Sequence, residues 1–185
     1  MQAALQNTNL DLLIYDACNM QSIENLTELK GRAKYIIGSE ELVPATGLPY
    51  SQVFDYWSIA ENIDSLAVNI PKIYVDAYRP GNLYNPGPFL QKITSSAVKM
   101  ENFSNFEDSL NSYLNKWSND TELFINAREN INEFGISYTD IDLKELLLYL
   151  SLNSENPELV NDSQELYTNL LEIFVSHDSS SFNYK

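Results

Sequence analysis

Leu10, Leu12, Leu13, Ile14 and Tyr15 crowd into a short apolar run bounded by polar residues, a pattern that predicts a buried strand. From Asn19 the spacing lengthens. Met20, Ile23, Leu26 and Leu29 fall about three residues apart, the period of a helix. Gly31 is a natural stop, and Ala33–Gly38 predicts a second strand. Strand, helix and strand in this order imply a buried parallel pair.

Ser39–Tyr50 is punctuated by proline and glycine and reads as a loop. Between Tyr50 and Tyr78 the pattern is helical. Val53, Trp57 and Ala60 share one face, followed by Ile63, Leu66, Ile70, Ile73, Tyr74 and Ala77, with Pro71 predicting a break or kink. Arg79–Pro88 is a loop, and Ile93–Val98 a third strand. Downstream the pattern is helical: Phe103 to Trp117, Leu123 to Ile131, a helix capped by Asp140, and a last helix from Pro157 through Val175. The aromatic stripes read as core. The fold class expected is α/β with a short parallel sheet and a helical C-terminal half. Its parts are an α/β core over residues 1–100, a helical extension over 101–176 and a polar tail over 177–185.

Length and composition fit one domain with a sizeable core: 185 residues, 44% hydrophobic and 12% aromatic. A formal charge of −15, from 11 basic against 26 acidic residues, argues against nucleic acid and anionic membrane surfaces as partners. No apolar run reaches membrane-spanning length, and Met1–Asn9 lacks the basic and apolar regions of a signal peptide.

The chain has one cysteine, Cys18, which excludes an internal disulfide and a multi-cysteine zinc site. It falls where the first strand gives way to the first helix. A thiol at a strand's C-terminal end opens onto the crevice where α/β sheets bind ligands, and a following helix N-terminus would favour its thiolate. The plain alternative is a small buried hydrophobe.

The stretch Leu10-Asp11-Leu12-Leu13-Ile14-Tyr15-Asp16-Ala17-Cys18-Asn19-Met20 resembles the cysteine-bearing segment of the clostripain-like cysteine peptidases. The likeness continues through Tyr35-Ile36-Ile37-Gly38-Ser39-Glu40-Glu41, then Pro44, Gly47, Pro49 and Tyr50, and recurs in Thr94–Val98 and Tyr138–Leu143. The resemblance implies a caspase-like α/β/α sandwich, of which this chain holds the nucleophile-bearing part. It also implies a Cys/His dyad that hydrolyses peptide bonds, often after Arg or Lys. Cys18 is then the nucleophile, its N–H part of an oxyanion hole, and Asp16 an acid of the S1 pocket, with Glu40, Glu41 and Thr46 also facing substrate.

The chain departs from the family pattern at two points. The dyad histidine belongs to a His-Gly motif on the strand before the cysteine strand, and the sole histidine here, His177, matches nothing catalytic. The chain is therefore expected to be inactive alone and to need a histidine-bearing partner chain. Thr46 stands where the family commonly has a second S1 acid, which weakens a preference for Arg or Lys. The chemistry needs no cofactor; calcium enters by resemblance alone. The family is often exported, which implies a secreted or periplasmic bacterial protein. Plainer readings are that Asp16 caps the helix after Cys18, that Ser39-Glu40-Glu41 is a solvated loop, and that Asp140 and Asp142 cap a helix rather than bind calcium. The rival functional class is a non-catalytic interaction protein on a degenerate caspase-like scaffold.

Overall fold

The computed structural model describes residues 5, 7–88, 91–134 and 140–180. Tyr138 and Thr139 of the matched stretch, and residues 181–185 of the expected tail, lie outside them. The chain divides into two compact units, residues 1–101 with 174–183 and residues 102–173 with 184–185.

The first unit holds strands β1 (Leu10–Ile14), β2 (Ala33–Gly38) and β3 (Thr94–Lys99) and helices α1 (Ile23–Glu28), α2 (Tyr50–Ile59) and α3 (Ile63–Ala77). The second holds α4 (Phe103–Trp117), α5 (Thr121–Arg128), β4 (Glu133–Phe134), β5 (Asp140–Ile141), α6 (Leu143–Asn153) and α7 (Pro157–Ile173). The chain then returns to the first unit as β6 (Phe174–Ser179).

The main sheet has the order β1-β2-β3-β6, and β1 and β6 are its edges among the described residues. β1 and β2 run parallel, as the strand–helix–strand pattern requires, whereas β3 and β6 each pair antiparallel with their neighbour. The sheet is therefore mixed and not closed, in place of the short parallel sheet expected. Hydrophobic spacing marks a strand but carries no information about its direction.

One face of the sheet packs on α2 and α3. Tyr35, Ile37 and Ala97 meet Val53, Leu66, Ala67 and Ile70, with Leu12, Ile14, Tyr56 and Ala60 at the margin. A second cluster of Leu48, Tyr74, Val75, Ala77, Tyr78 and Ile93 lies against Ile14 and Val43 and supports the loop after β2. In the second unit, Phe103, Phe106, Leu110 and Tyr113 of α4 and Leu159, Leu166 and Leu170 of α7 are buried, and Tyr113 Oη and Ser163 Oγ lie 2.7 Å apart in the interior.

Four local expectations change. The helical break falls at Ala60–Asn62, where Asn62 Oδ1 accepts from the Ser65 N–H at 2.9 Å, while α3 runs on through buried Pro71. Burial of its apolar face outweighs the hydrogen bond that proline lacks. The inward face of α2 is Val53, Tyr56 and Ala60, not Trp57, which is 44% exposed; both sets satisfy helical spacing. Asp142, not Asp140, caps α6, its Oδ1 accepting from the Glu145 N–H at 3.1 Å. Residues 174–179, expected as a helix end and the start of a tail, form β6.

Candidate functional site

β1 and β2 end side by side, and the loops that follow them are joined by main-chain bonds. Tyr15 N–H donates to Ile37 O at 2.8 Å, Gln21 N–H to Ser39 O at 3.2 Å and Asn19 N–H to Glu41 O at 3.2 Å. Asn19 turns the chain at φ 54, a left-handed conformation that asparagine tolerates better than most residues, and its Nδ2 donates to Glu40 O at 2.8 Å.

Cys18 lies on this turn and is exposed, so it is not a core hydrophobe. Nor does it abut a helix. α1 starts only at Ile23, with Ser22 Oγ accepting from the Asn25 N–H at 3.4 Å. The tight turn at Asn19 delays the helix beyond the point where the apolar spacing begins. The thiol's main-chain donor is instead Val43 N–H, 3.2 Å from Sγ.

Asp16, two positions before Cys18, is exposed and does not cap α1. Its Oδ1 accepts from Leu48 N–H at 3.1 Å and its Oδ2 from the Tyr50 hydroxyl at 2.7 Å. The carboxylate accepting that bond raises the Tyr50 phenol above its ordinary value. Gly47 makes this approach possible. Its φ is +65°, and a Cβ there would sit 2.5 Å from Asp16 Oδ2.

Thr46 is exposed, but its hydroxyl is engaged, 2.6 Å from Tyr78 Oη. Tyr78 in turn donates to Gly47 O at 2.6 Å. A phenol has one proton, so Thr46 is the donor in the first bond. Burial pushes the Tyr78 phenol up, and the neighbouring Tyr74 phenol further. Tyr74 Oη is buried without a hydrogen-bond partner among the described residues.

The two glutamates after β2 turn inward. Ser96 Oγ donates to Glu40 Oε1 at 2.5 Å, and Glu41 is buried and pairs with Lys92. The structure thus brings Cys18, Asp16 and Thr46 to one surface, whereas Glu41 serves the fold. Neither the solvated-loop reading nor a substrate-facing one fits Glu41. His177 is exposed on β6 opposite Ser96, and β2 and β3 separate it from β1. Three strand spacings put it on the order of 14 Å from the β1 backbone. Among the described residues no three carboxylates, histidines or cysteines come together in a group that could hold a metal ion.

Val43, Leu48, Tyr50 and Tyr78 were not candidates from the sequence. Only Tyr50 carried a signal, as part of the matched stretch.

A parallel strand pair with a cysteine just beyond the first strand's C-terminal end, in a mixed sheet flanked by helices, defines a caspase-like α/β fold. The profile of the clostripain family (Peptidase_C11) matches residues 1–185, and the chain belongs to that family. Solved structures share the fold. A clostripain from Bacteroides thetaiotaomicron ATCC 29148, in complex with the peptide inhibitor BTN-VLTK-AOMK, is 18% identical with a TM-score of 0.67, over 96% of this chain and 72% of its own. An inactive zymogen C11 protease from Parabacteroides distasonis is 17% identical with a TM-score of 0.71, over 97% of this chain and 47% of its own. A secreted C11 cysteine protease from Bacteroides thetaiotaomicron, in complex with an irreversible peptide inhibitor, is 24% identical with a TM-score of 0.68, over 99% of this chain and 49% of its own. This chain thus spans about half the length of the latter two. No curated protein matches. No helix among the described residues is long and apolar enough to cross a membrane.

Proposed function

We propose that this chain is the nucleophile-bearing part of a cysteine endopeptidase, with Cys18 as the nucleophile. The carrying observation is the exposed Cys18 thiol beyond β1, held by Val43 N–H and two positions from a carboxylate fixed by Leu48 and Tyr50. In this reading the Cys18 thiolate attacks the scissile carbonyl carbon. A C–S bond forms, and the carbonyl electron pair moves to an oxyanion facing the Cys18 N–H. Collapse expels the amine, which takes its proton from an imidazolium, and water then hydrolyses the thioester.

His177 lies too far along the sheet to be that imidazole. The base comes from a histidine-bearing segment that pairs with the outer side of β1, an edge strand among the described residues, and the chain by itself does not cleave. Asp16 pairs with a basic P1 side chain. Thr46, committed to Tyr78, adds a hydroxyl in place of a second charge, so the preference for Arg or Lys is moderate. An extracellular or periplasmic setting suits such an enzyme, and one relative is described as secreted.

The test is to offer BTN-VLTK-AOMK and fluorogenic peptides ending in Arg, Lys or Gln to the chain alone, and to the chain mixed with a clostripain segment carrying the His-Gly strand. Labelling of Cys18 and cleavage are expected only in the mixture, and both vanish in Cys18→Ser. A mixture that neither labels nor cleaves overturns the reading in favour of a non-catalytic interaction protein. Cleavage indifferent to P1 charge removes only the role of Asp16.

A further inference from the structure

Among the described residues, the three aromatic side chains that stand exposed are Tyr50 at 49%, Phe54 at 61% and Trp57 at 44%. All three are on α2 at positions i, i+4 and i+7, which places them on one stripe. The stripe lies beside, not on, the face of Val53, Tyr56 and Ala60 that packs on the sheet. The Tyr50 and Phe54 rings stack at 6.3 Å. Scattered exposed apolar residues are ordinary on a protein surface, whereas aligned ones mark a binding face.

We infer that this stripe is a docking face for an extended peptide whose cationic residue pairs with Asp16 and whose apolar side chain, two positions away, lies on Phe54 and Trp57. The inference rests on the reading of Asp16 given above and extends it away from the cysteine.

Two observations select this occupant. The stripe is continuous with the candidate site, because the Tyr50 hydroxyl at its head donates to Asp16 Oδ2 at 2.7 Å. The charge also suits a cation: the chain carries −15 overall, and Asp55, exposed on the same helix, adds a carboxylate. The dimensions agree. From Tyr50, which reaches Asp16, to Trp57 the helix rises about 10 Å, room for one repeat of about 7 Å between alternate side chains of an extended peptide, so an apolar side chain two positions from the cation falls on the Phe54–Trp57 end of the stripe.

The test measures binding by fluorescence anisotropy, using the natural chain under reducing conditions and labelled peptides with a central lysine. One peptide has alternating leucines on the N-terminal side of the lysine, a second has them on the C-terminal side, and controls carry serines instead. One leucine peptide is expected to bind about tenfold tighter than its serine control, the gain from covering one or two large apolar side chains. The double variant F54S/W57S is expected to bind both alike, with its circular dichroism unchanged because both rings are exposed. Equal binding of leucine and serine peptides to the natural chain, absence of binding included, overturns the inference. So does discrimination that survives in F54S/W57S. A concentration-dependent dimer abolished by F54S/W57S, without peptide discrimination, assigns the stripe to a second copy and also overturns it. Replacing the lysine by glutamine separates the two claims. Leucine discrimination that persists with no loss of affinity leaves the stripe standing and removes the role of Asp16.

Discussion

The loops after β1 and β2 begin side by side on adjacent parallel strands, and both carry acids within three residues of the strand end. They use those acids in opposite ways. After β1, Asp16 stays at the surface, held by two donors that leave its charge facing outward. After β2, Glu40 accepts from Ser96, and Glu41 is buried against Lys92. What separates an exposed, oriented carboxylate from a buried structural one is therefore the identity and burial of its partners. Asp16 has neutral donors, which orient a charge without cancelling it, whereas Glu41 has a cation.

The contrast can be broken from beneath. Ile37 is 1% exposed in the core cluster between the sheet and α2 and α3, on the strand that leads into the second loop, and Ile37→Ala is expected to cost about 2–5 kcal/mol in chemical denaturation. A smaller loss would mean that the loops do not depend on this core. Gly47→Ala acts on one loop only. It forces a left-handed residue and a Cβ against Asp16, so a loss of about 1–3 kcal/mol is expected together with weaker binding of basic peptides.

Glu41→Ala and Asp16→Ala should differ in kind. The first is expected to lower stability by about 1 kcal/mol, since Lys92 is half exposed and re-solvates, with peptide preference unchanged. The second removes the acceptor of Leu48 N–H and of the Tyr50 hydroxyl, so it is expected to lower stability by about 1 kcal/mol and also to lower affinity for lysine over glutamine peptides about tenfold. The reverse outcome would exchange the two roles.

The smallest effect is spectroscopic. Asp16 raises the Tyr50 phenol above the usual tyrosine value of about 10, so Asp16→Asn should bring the ultraviolet titration of one tyrosine down toward it. A folded-state value above the unfolded one means that the Tyr50–Asp16 bond stabilises the fold below pH 10 and is lost as the pH climbs through the folded value.

What the sequence revealed follows the same division between local and distant causes. Apolar runs located β1, β2 and β3, and helical stripes located α4, α6 and α7, because burial of one face leaves a period in the sequence. β6 was hidden. Val-Ser-His-Asp-Ser has no apolar periodicity, and what makes it a strand is the β3 ladder, some eighty residues away in sequence. Cys18 and Asp16 were candidates from their motif, but the donors that hold them, Val43, Leu48 and Tyr50, reach them only through the fold. Trp57 was misplaced by a single helical position. Val53 and Ala60 admit either Tyr56 or Trp57 on their face, and packing on the sheet selects Tyr56.

The outer edge of β1 has a consequence for how this protein behaves in a test tube. Leu10, Leu12, Leu13 and Ile14 line an edge strand whose outer main-chain groups have no neighbouring strand among the described residues. Asp11, exposed in the middle of that run, is its only charge. Such a residue acts as a gatekeeper against strand-to-strand stacking between molecules. Replacing it by an uncharged residue would leave the outer edge of β1 more open to strand-to-strand association between molecules.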